Sequence, residues 1–338
     1  MTGMSAVRAT ATAVTLATSL AIGIGSPLVV AAQQSADGLD VVQVRSDFYM
    51  IAGAGGNVAV QLGPAGVVLV DTGSAANSDA VLATVKRLTN LPIRYVINTS
   101  ADADHTGGNG TLSKAGQTIL GNPGSSGFAE EVFTNGGAAS VLAHENVLAR
   151  VSDPKTPQPF ALWPTKTYSG RSYPMYLNGD GIQVLHVPAA HSDGDSVVFF
   201  RRADVIVSGD VLDTTRFPVI DIARGGTIQG EIDALNHILD MMIPPFPLRW
   251  QPERTFVIPG HGFVSDYGDV ADYRNVVTIV RDRVQAMLEQ GMTLAQVKAA
   301  DPAKGFKSRY GPDSGPWTTN MFVEAVFASL AASLAASK

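Results

Sequence analysis

The stretch INTSADADHTGGNG, Ile97 to Gly110, decides how this chain is read. An apolar run, IRYVIN from Ile93 to Asn98, has the make-up of a buried strand, and Asp102, Asp104 and His105 follow it at once. Taken alone, such a cluster is an ordinary solvated turn. Its meaning depends on whether other strands end the same way.

Working outward, they do. Upstream, GNVAVQLGPAGVVLVDTG holds two β-rich runs about a Gly-Pro turn, and AANSDAVLATVKRLTNLP predicts a helix ended by Pro92. Downstream, GIQVLHVPAAH, SVVFFRRADVIVSGD and TFVIPGHG are short apolar runs that each close on a polar cluster. Strands that are apolar throughout belong to sheets covered by helices, and alternating elements indicate an α/β protein of two or more layers. The last part is helical in period. Phe322, Val323, Val326, Phe327 and Leu330 share one face of the terminal helix, which is expected to pack on the body.

His105, His191, Asp210 and His261 each fall just past a predicted strand end, beside glycine, in HTGG, HSDGD, SGD and PGHG. Strand ends converge on one rim of a sheet, so these side chains are expected to meet. Glycine lets the backbone turn sharply there. A mixture of imidazole nitrogen and carboxylate oxygen suits zinc, iron or manganese. His144 and His237 lie on helical patterns and read as core or capping residues, and His186 reads as a packing neighbour of the cluster.

The ordered set VDTG, SADADHTGG, PAAHSDGD, VSGD and IPGHG resembles the metallo-β-lactamase superfamily over Val41 to Tyr267. The resemblance implies a four-layer αββα sandwich over residues 39–267, a helical extension over 268–338 packed on the same domain, and a two-metal site on the edge between the sheets. It implies that Asp104, His105 and His261 hold one metal, that His191 serves the other, and that Asp210 bridges both. Asp71 of VDTG would support the site from behind.

The opening stretch departs from the family pattern. Where HxHxDH is expected, the six positions read Ser100, Ala101, Asp102, Ala103, Asp104, His105. Asp102 is then the expected further ligand beside His191, and Ser100 a weak neutral donor or water holder. Three ligating carboxylates make a poorer Lewis acid than neutral imidazoles do, and oxygen-rich ligation favours iron or manganese. The expectation is one or two zinc ions, with iron or manganese as alternatives and the His191 site the weaker. The resemblance further implies metal-assisted hydrolysis, in which a bound hydroxide oriented by Asp104 attacks an ester, lactone, thioester or amide bond, a β-lactam included. Two other classes fit the same residues: an iron-dependent redox enzyme, and a degenerate member that binds a ligand without turnover. The sequence carries neither a P-loop nor a nucleophile elbow.

Composition narrows the partners. The chain has 338 residues, 45% hydrophobic and 16% charged, with a net charge of -6, so it lacks the basic face that nucleic acid or an anionic membrane requires. A small-molecule substrate is the expected partner, and no pattern fixes an oligomeric state. There is no cysteine, which removes thiolate ligands and disulfides. Residues 1–32 have the layout of a signal peptide, with Arg8 before an apolar stretch and Val30-Ala31-Ala32 before a polar one. Export to the periplasm or the medium is expected, with no membrane span after cleavage. In LDTTRFPVIDIARGGTIQG, following Asp210, the segment combines Arg216, Phe217, Asp221 and Arg224. Of these, Arg216, Phe217 and Asp221 are expected to shape the substrate pocket. Trp163 and Trp250 read as core rather than pocket walls.

Overall fold

The structure, a computed structural model, describes residues 32–34, 38–119, 137–244 and 254–336; the expected leader up to residue 31 and Trp250 lie outside the described residues. Strands β1 (Ala32–Gln34), β2 (Asp40–Arg45), β3 (Phe48–Ala52), β4 (Val58–Gly63) and β5 (Gly66–Val70) form an antiparallel meander. Helix α1 (Ser78–Leu88) carries the chain across, and β6 (Ile93–Ile97), β7 (Ser140–His144) and β8 (Lys166–Tyr168) extend the same sheet in parallel. Helix α1 stops at Leu88, ahead of Pro92, because Thr89 is already extended. Two short helices, α2 (Ala103–Thr106) and α3 (Asn109–Ala115), follow β6, and α4 (Glu145–Val151) follows β7.

A second sheet is built from β9 (Ser172–Leu177), β10 (Asp180–His186), β11 (Ser196–Phe200) and β12 (Val205–Asp213), each antiparallel to the next. Strand β13 (Phe256–His261) then joins β12 in parallel. Helix α5 (Ile228–Met241) precedes β13; α6 (Tyr267–Glu289), α7 (Leu294–Ala300), α8 (Lys307–Tyr310) and α9 (Thr319–Ala336) follow it.

The apolar runs explain the layering, since most strands bury both faces. Val68, Val70 and Ile97 of the first sheet meet Val184, Val198 and Val207 of the second, and the Phe48 and Phe200 rings close that core edge to face at 4.8 Å. On the outer face of the first sheet, Val67, Leu69 and Val96 pack against Val81 and Val85 of α1 and Leu112 of α3. On the outer face of the second, Ile206, Val211 and Val257 share a core with Leu235 of α5, Val277 and Val280 of α6, and Phe322 and Val326 of α9. Helix, sheet, sheet, helix is the expected αββα sandwich, and the terminal helix packs on the body as its periodicity predicts. Among the described residues no helix is long and apolar enough to cross a membrane.

Two local expectations are corrected. Asp210 does not lie beyond its strand but inside β12, which runs on to Asp213 through a register shift at Gly209. Gly209 has φ 52°, and a Cβ there would lie 2.4 Å from the Thr99 hydroxyl oxygen, so glycine permits the irregularity that re-aims Asp210. His237 sits on the exposed face of α5 rather than in a core or at a cap. His144, in contrast, is buried and caps α4, its Nδ1 accepting the Asn146 amide, and its ring stacks on His186 at 3.6 Å.

Candidate metal centre

The six candidate ligands arrive at one sheet edge from four places in the chain. Asp102, Asp104 and His105 come from the turn after β6, His191 from the loop between β10 and β11, Asp210 from β12, and His261 from the end of β13. Two groups of three form: Asp104, His105 and His261 in one, Asp102, His191 and Asp210 in the other. Within each group the potential ligand atoms all lie within 4.8 Å of one another. His105 Nε2 lies 3.1 Å from Asp210 Oδ1, and His261 Nε2 lies 3.3 Å from Asp104 Oδ2 and 3.4 Å from Asp210 Oδ1. His191 Nε2 lies 3.0 Å from Asp102 Oδ2 and 3.9 Å from Asp210 Oδ2. Asp210 therefore stands between the groups, one oxygen toward each.

The histidines are held from behind. Asp71, directly after β5, accepts the Nδ1 proton of His105 at 2.7 Å, and also takes the amide and hydroxyl of Thr99 at 2.8 and 2.6 Å. A carboxylate can only accept, so the Nδ1 of His105 carries a proton and Nε2 is presented to the site. Asp71 does this from φ 62°, a left-handed conformation uncommon outside glycine, and Ala189, just ahead of His191, has φ 64°. Backbone strain of this kind concentrates where geometry serves function. His191 donates its own Nδ1 proton to the Val219 carbonyl at 2.8 Å, which again frees Nε2. Asp195 ties the His191 loop by accepting the Ser192 amide and hydroxyl, each at 2.7 Å. Burial pushes the Asp195 carboxyl up to about 6.

Charge in the cluster is mutual. Burial opposes ionisation of Asp210, but the facing imidazoles outweigh it and hold the carboxyl well below the usual range. For His261, burial disfavours the cation, yet its hydrogen bonds with Asp104 and Asp210 raise it to about 9. His105 and His191 are likewise raised against burial by their carboxylate partners. Without a metal the site thus balances its acids with protons on its histidines. The donor set fits a divalent cation, which would take the protons' place. The backbone leaves room for these side chains: a Cβ on Gly260 would lie 2.7 Å from Asp210 Oδ1.

A cavity of about 60 Å³ opens over the cluster, lined by Asp102, Asp104, His191, Asp210, Asp213, Arg216, Val219 and His261. Arg216 is where the sequence placed it, on the cavity wall, with Nε fixed by Asp213 Oδ2 at 2.5 Å. Phe217 is not. It is buried and stacks on Phe322 at 4.6 Å in the core under α9, so its expected part in the substrate pocket is withdrawn. Asp221 lies away from the cavity wall, where its carboxylate accepts the Arg224 amide at 3.0 Å. Ser100 is buried behind Asp102, its hydroxyl accepting the Asp102 amide at 3.3 Å. Trp163 is half-buried beside exposed Phe160 and does not line the cavity.

Sequence reasoning missed Asp213, Asp195, Val219 and the partner of Arg224. Asp195 stands in the quoted HSDGD, where its spacing to Ser192 is the signal of a local turn. Val219 acts through its carbonyl, which no side-chain pattern reveals.

An αββα sandwich that gathers three histidines and three aspartates at a sheet edge is an α/β fold with a candidate metal-binding rim. More narrowly, the model of the metallo-beta-lactamase superfamily matches residues 52–261, and the chain belongs to that superfamily. Among solved structures it is similar to the sec-alkylsulfatase Pisa1 from Pseudomonas sp., with TM-score 0.58 and 14% identity over 85% of this chain and 49% of that one. A double mutant of that sulfatase gives TM-score 0.60. This chain therefore spans about half the length of the sulfatase. It is also similar to a metallo-beta-lactamase from Pontibacter korlensis, with TM-score 0.51 and 16% identity over 71% and 99% of the two chains. The DIM-1 metallo-beta-lactamase gives TM-score 0.50 and 15% identity over 73% and 99%. No curated protein matches the chain.

Proposed function

We propose that the chain is an exported metal-dependent hydrolase of a small-molecule ester, lactone, thioester or amide, with Asp104, His105 and His261 holding one ion and Asp102, His191 and Asp210 holding another. The observation that carries the reading is that both groups are assembled with Nε2 of their buried histidines presented by Asp71 and by the Val219 carbonyl. Zinc suits the mixed donors, and iron or manganese suits the oxygen-rich group around Asp102. When bound, a divalent ion supplies Lewis-acid polarisation and lowers the pKa of water.

The chain's own residues supply the rest. Asp104 faces the cavity with its side chain 36% exposed and is placed to orient the attacking water and take its proton. Arg216, held by Asp213, offers its guanidinium to the polar end of the substrate from the cavity lining. The leader pattern of residues 1–32 supports an exported enzyme.

The test is a panel of aryl esters, lactones, thioesters, a β-lactam and a secondary alkyl sulfate, assayed with and without chelator. Turnover of one class should be lost on chelation, return with added metal, and fall at least about a hundredfold in Asp104→Ala. Metal-loaded protein that turns over nothing on the panel would sink the hydrolase reading.

A further inference from the structure

Resting on that reading, we propose that Asp102 and Arg224 work as one ion-paired, net-neutral substitute for a histidine ligand, with Arg224 the residue that offsets the charge of Asp102. Asp102 occupies the N-cap of α2, where an aspartate ordinarily turns its carboxylate onto the helix's first amides. Here it makes no such bond. Its Oδ1 is instead 2.6 Å from Arg224 Nη1, and its Oδ2 is 3.0 Å from His191 Nε2. The two oxygens are divided between two tasks, one toward the arginine and one toward the ligand group.

Arg224 is itself fixed. It ends the short turn Ile222–Arg224, which Asp221 caps through the Arg224 amide, and its Nε lies 3.4 Å from Asp221 Oδ2. Its carbonyl accepts the Asp193 amide at 2.9 Å, and the Asp221 amide donates to the His191 carbonyl at 2.9 Å. Arg150 Nη2 pairs with Asp193 Oδ2 at 2.7 Å. The segment that carries His191 is thus tied to the turn that carries Arg224, and both reach Asp102 as one unit.

Charge counting gives the consequence. Asp102, Asp104 and Asp210 bring three negative charges to the edge, and Arg224 returns one positive charge, leaving two. A histidine in place of Asp102, with no arginine, would also leave two, from Asp104 and Asp210. The pair keeps the electrostatic balance of the family's site while exchanging nitrogen for oxygen. The expectation of a poorer Lewis acid at this half-site is thereby offset.

The experiment titrates Zn²⁺ alone against a competing chelator, using the full metal-stripped chain and the variants Arg224→Gln, Arg224→Lys, Asp102→His and the double variant Asp102→His/Arg224→Gln. Removing a partly exposed cation beside the ion should tighten the weaker site about tenfold in Arg224→Gln. Arg224→Lys keeps the charge and should stay within about threefold of the native chain. Asp102→His alone removes the carboxylate that faces Arg224 from the ligand group, leaving the guanidinium only Asp221, and should weaken the site about tenfold, and adding Arg224→Gln should restore it. Weaker binding in Arg224→Gln, or no recovery in the double variant, would overturn the proposal and show Arg224 to be a structural brace. A native chain that binds no zinc would overturn the metal reading beneath it.

Discussion

Asp71→Asn isolates the contribution of the support behind His105. Asparagine tolerates φ 62°, so the backbone costs little. Its carbonyl can still accept the Thr99 amide, and its NH₂ can face the Thr99 hydroxyl, but it has no acceptor left for His105 Nδ1. One buried, charge-assisted hydrogen bond is lost, worth about 1.5–3 kcal/mol. The larger effect is on the tautomer. With Nδ1 facing a donor, the imidazole proton moves to Nε2 and that nitrogen can no longer ligate, so the affinity of the Asp104, His105 and His261 group should fall about 10- to 100-fold. Chelator competition with zinc reads the affinity, and urea unfolding of the metal-free protein reads the stability. Native affinity together with a native unfolding midpoint would refute the reasoning.

Other consequences can be measured in parallel. In metal-free protein the His261 contribution is fully present below pH 6.5 and is lost as pH rises through about 9, on the order of 3 kcal/mol. Urea midpoints should therefore fall across that window, less so in His261→Gln, while zinc affinity rises as protons cease to compete. Glu231 is fully buried on α5, its two oxygens have no hydrogen-bond partner among the described residues, and burial raises its carboxyl well above 4.5. A raised carboxyl costs stability as pH climbs past 4.5, so Glu231→Gln should lessen the loss of thermal stability as pH rises above that value. Phe217→Ala should cost about 3–5 kcal/mol by opening a cavity against Phe322, with metal content unchanged.

The sandwich and the ligand edge were legible because both rest on local signals. Apolar runs announce buried strands, and a polar cluster with glycine after each one announces a shared rim, which is how His105, His191 and His261 could be found far apart in the chain. Asp210 was found for a slightly wrong reason, since a bulge at Gly209 keeps it within β12 where the sequence suggested a strand end. Phe217 was misassigned because a loop aromatic carries no periodicity, and only its stack on Phe322 of α9 shows it to be core. The Arg224 contact with Asp102 spans 122 residues, so no spacing rule could have paired them.

Metal content per chain is the most direct test, taken by plasma mass spectrometry on protein purified without added metal, for the native chain and for Asp102→Ala. Two ions in the native chain, falling to one in the variant, are predicted by two groups of three ligands with Asp210 standing between them, one oxygen toward each. No metal in either protein would contradict the account.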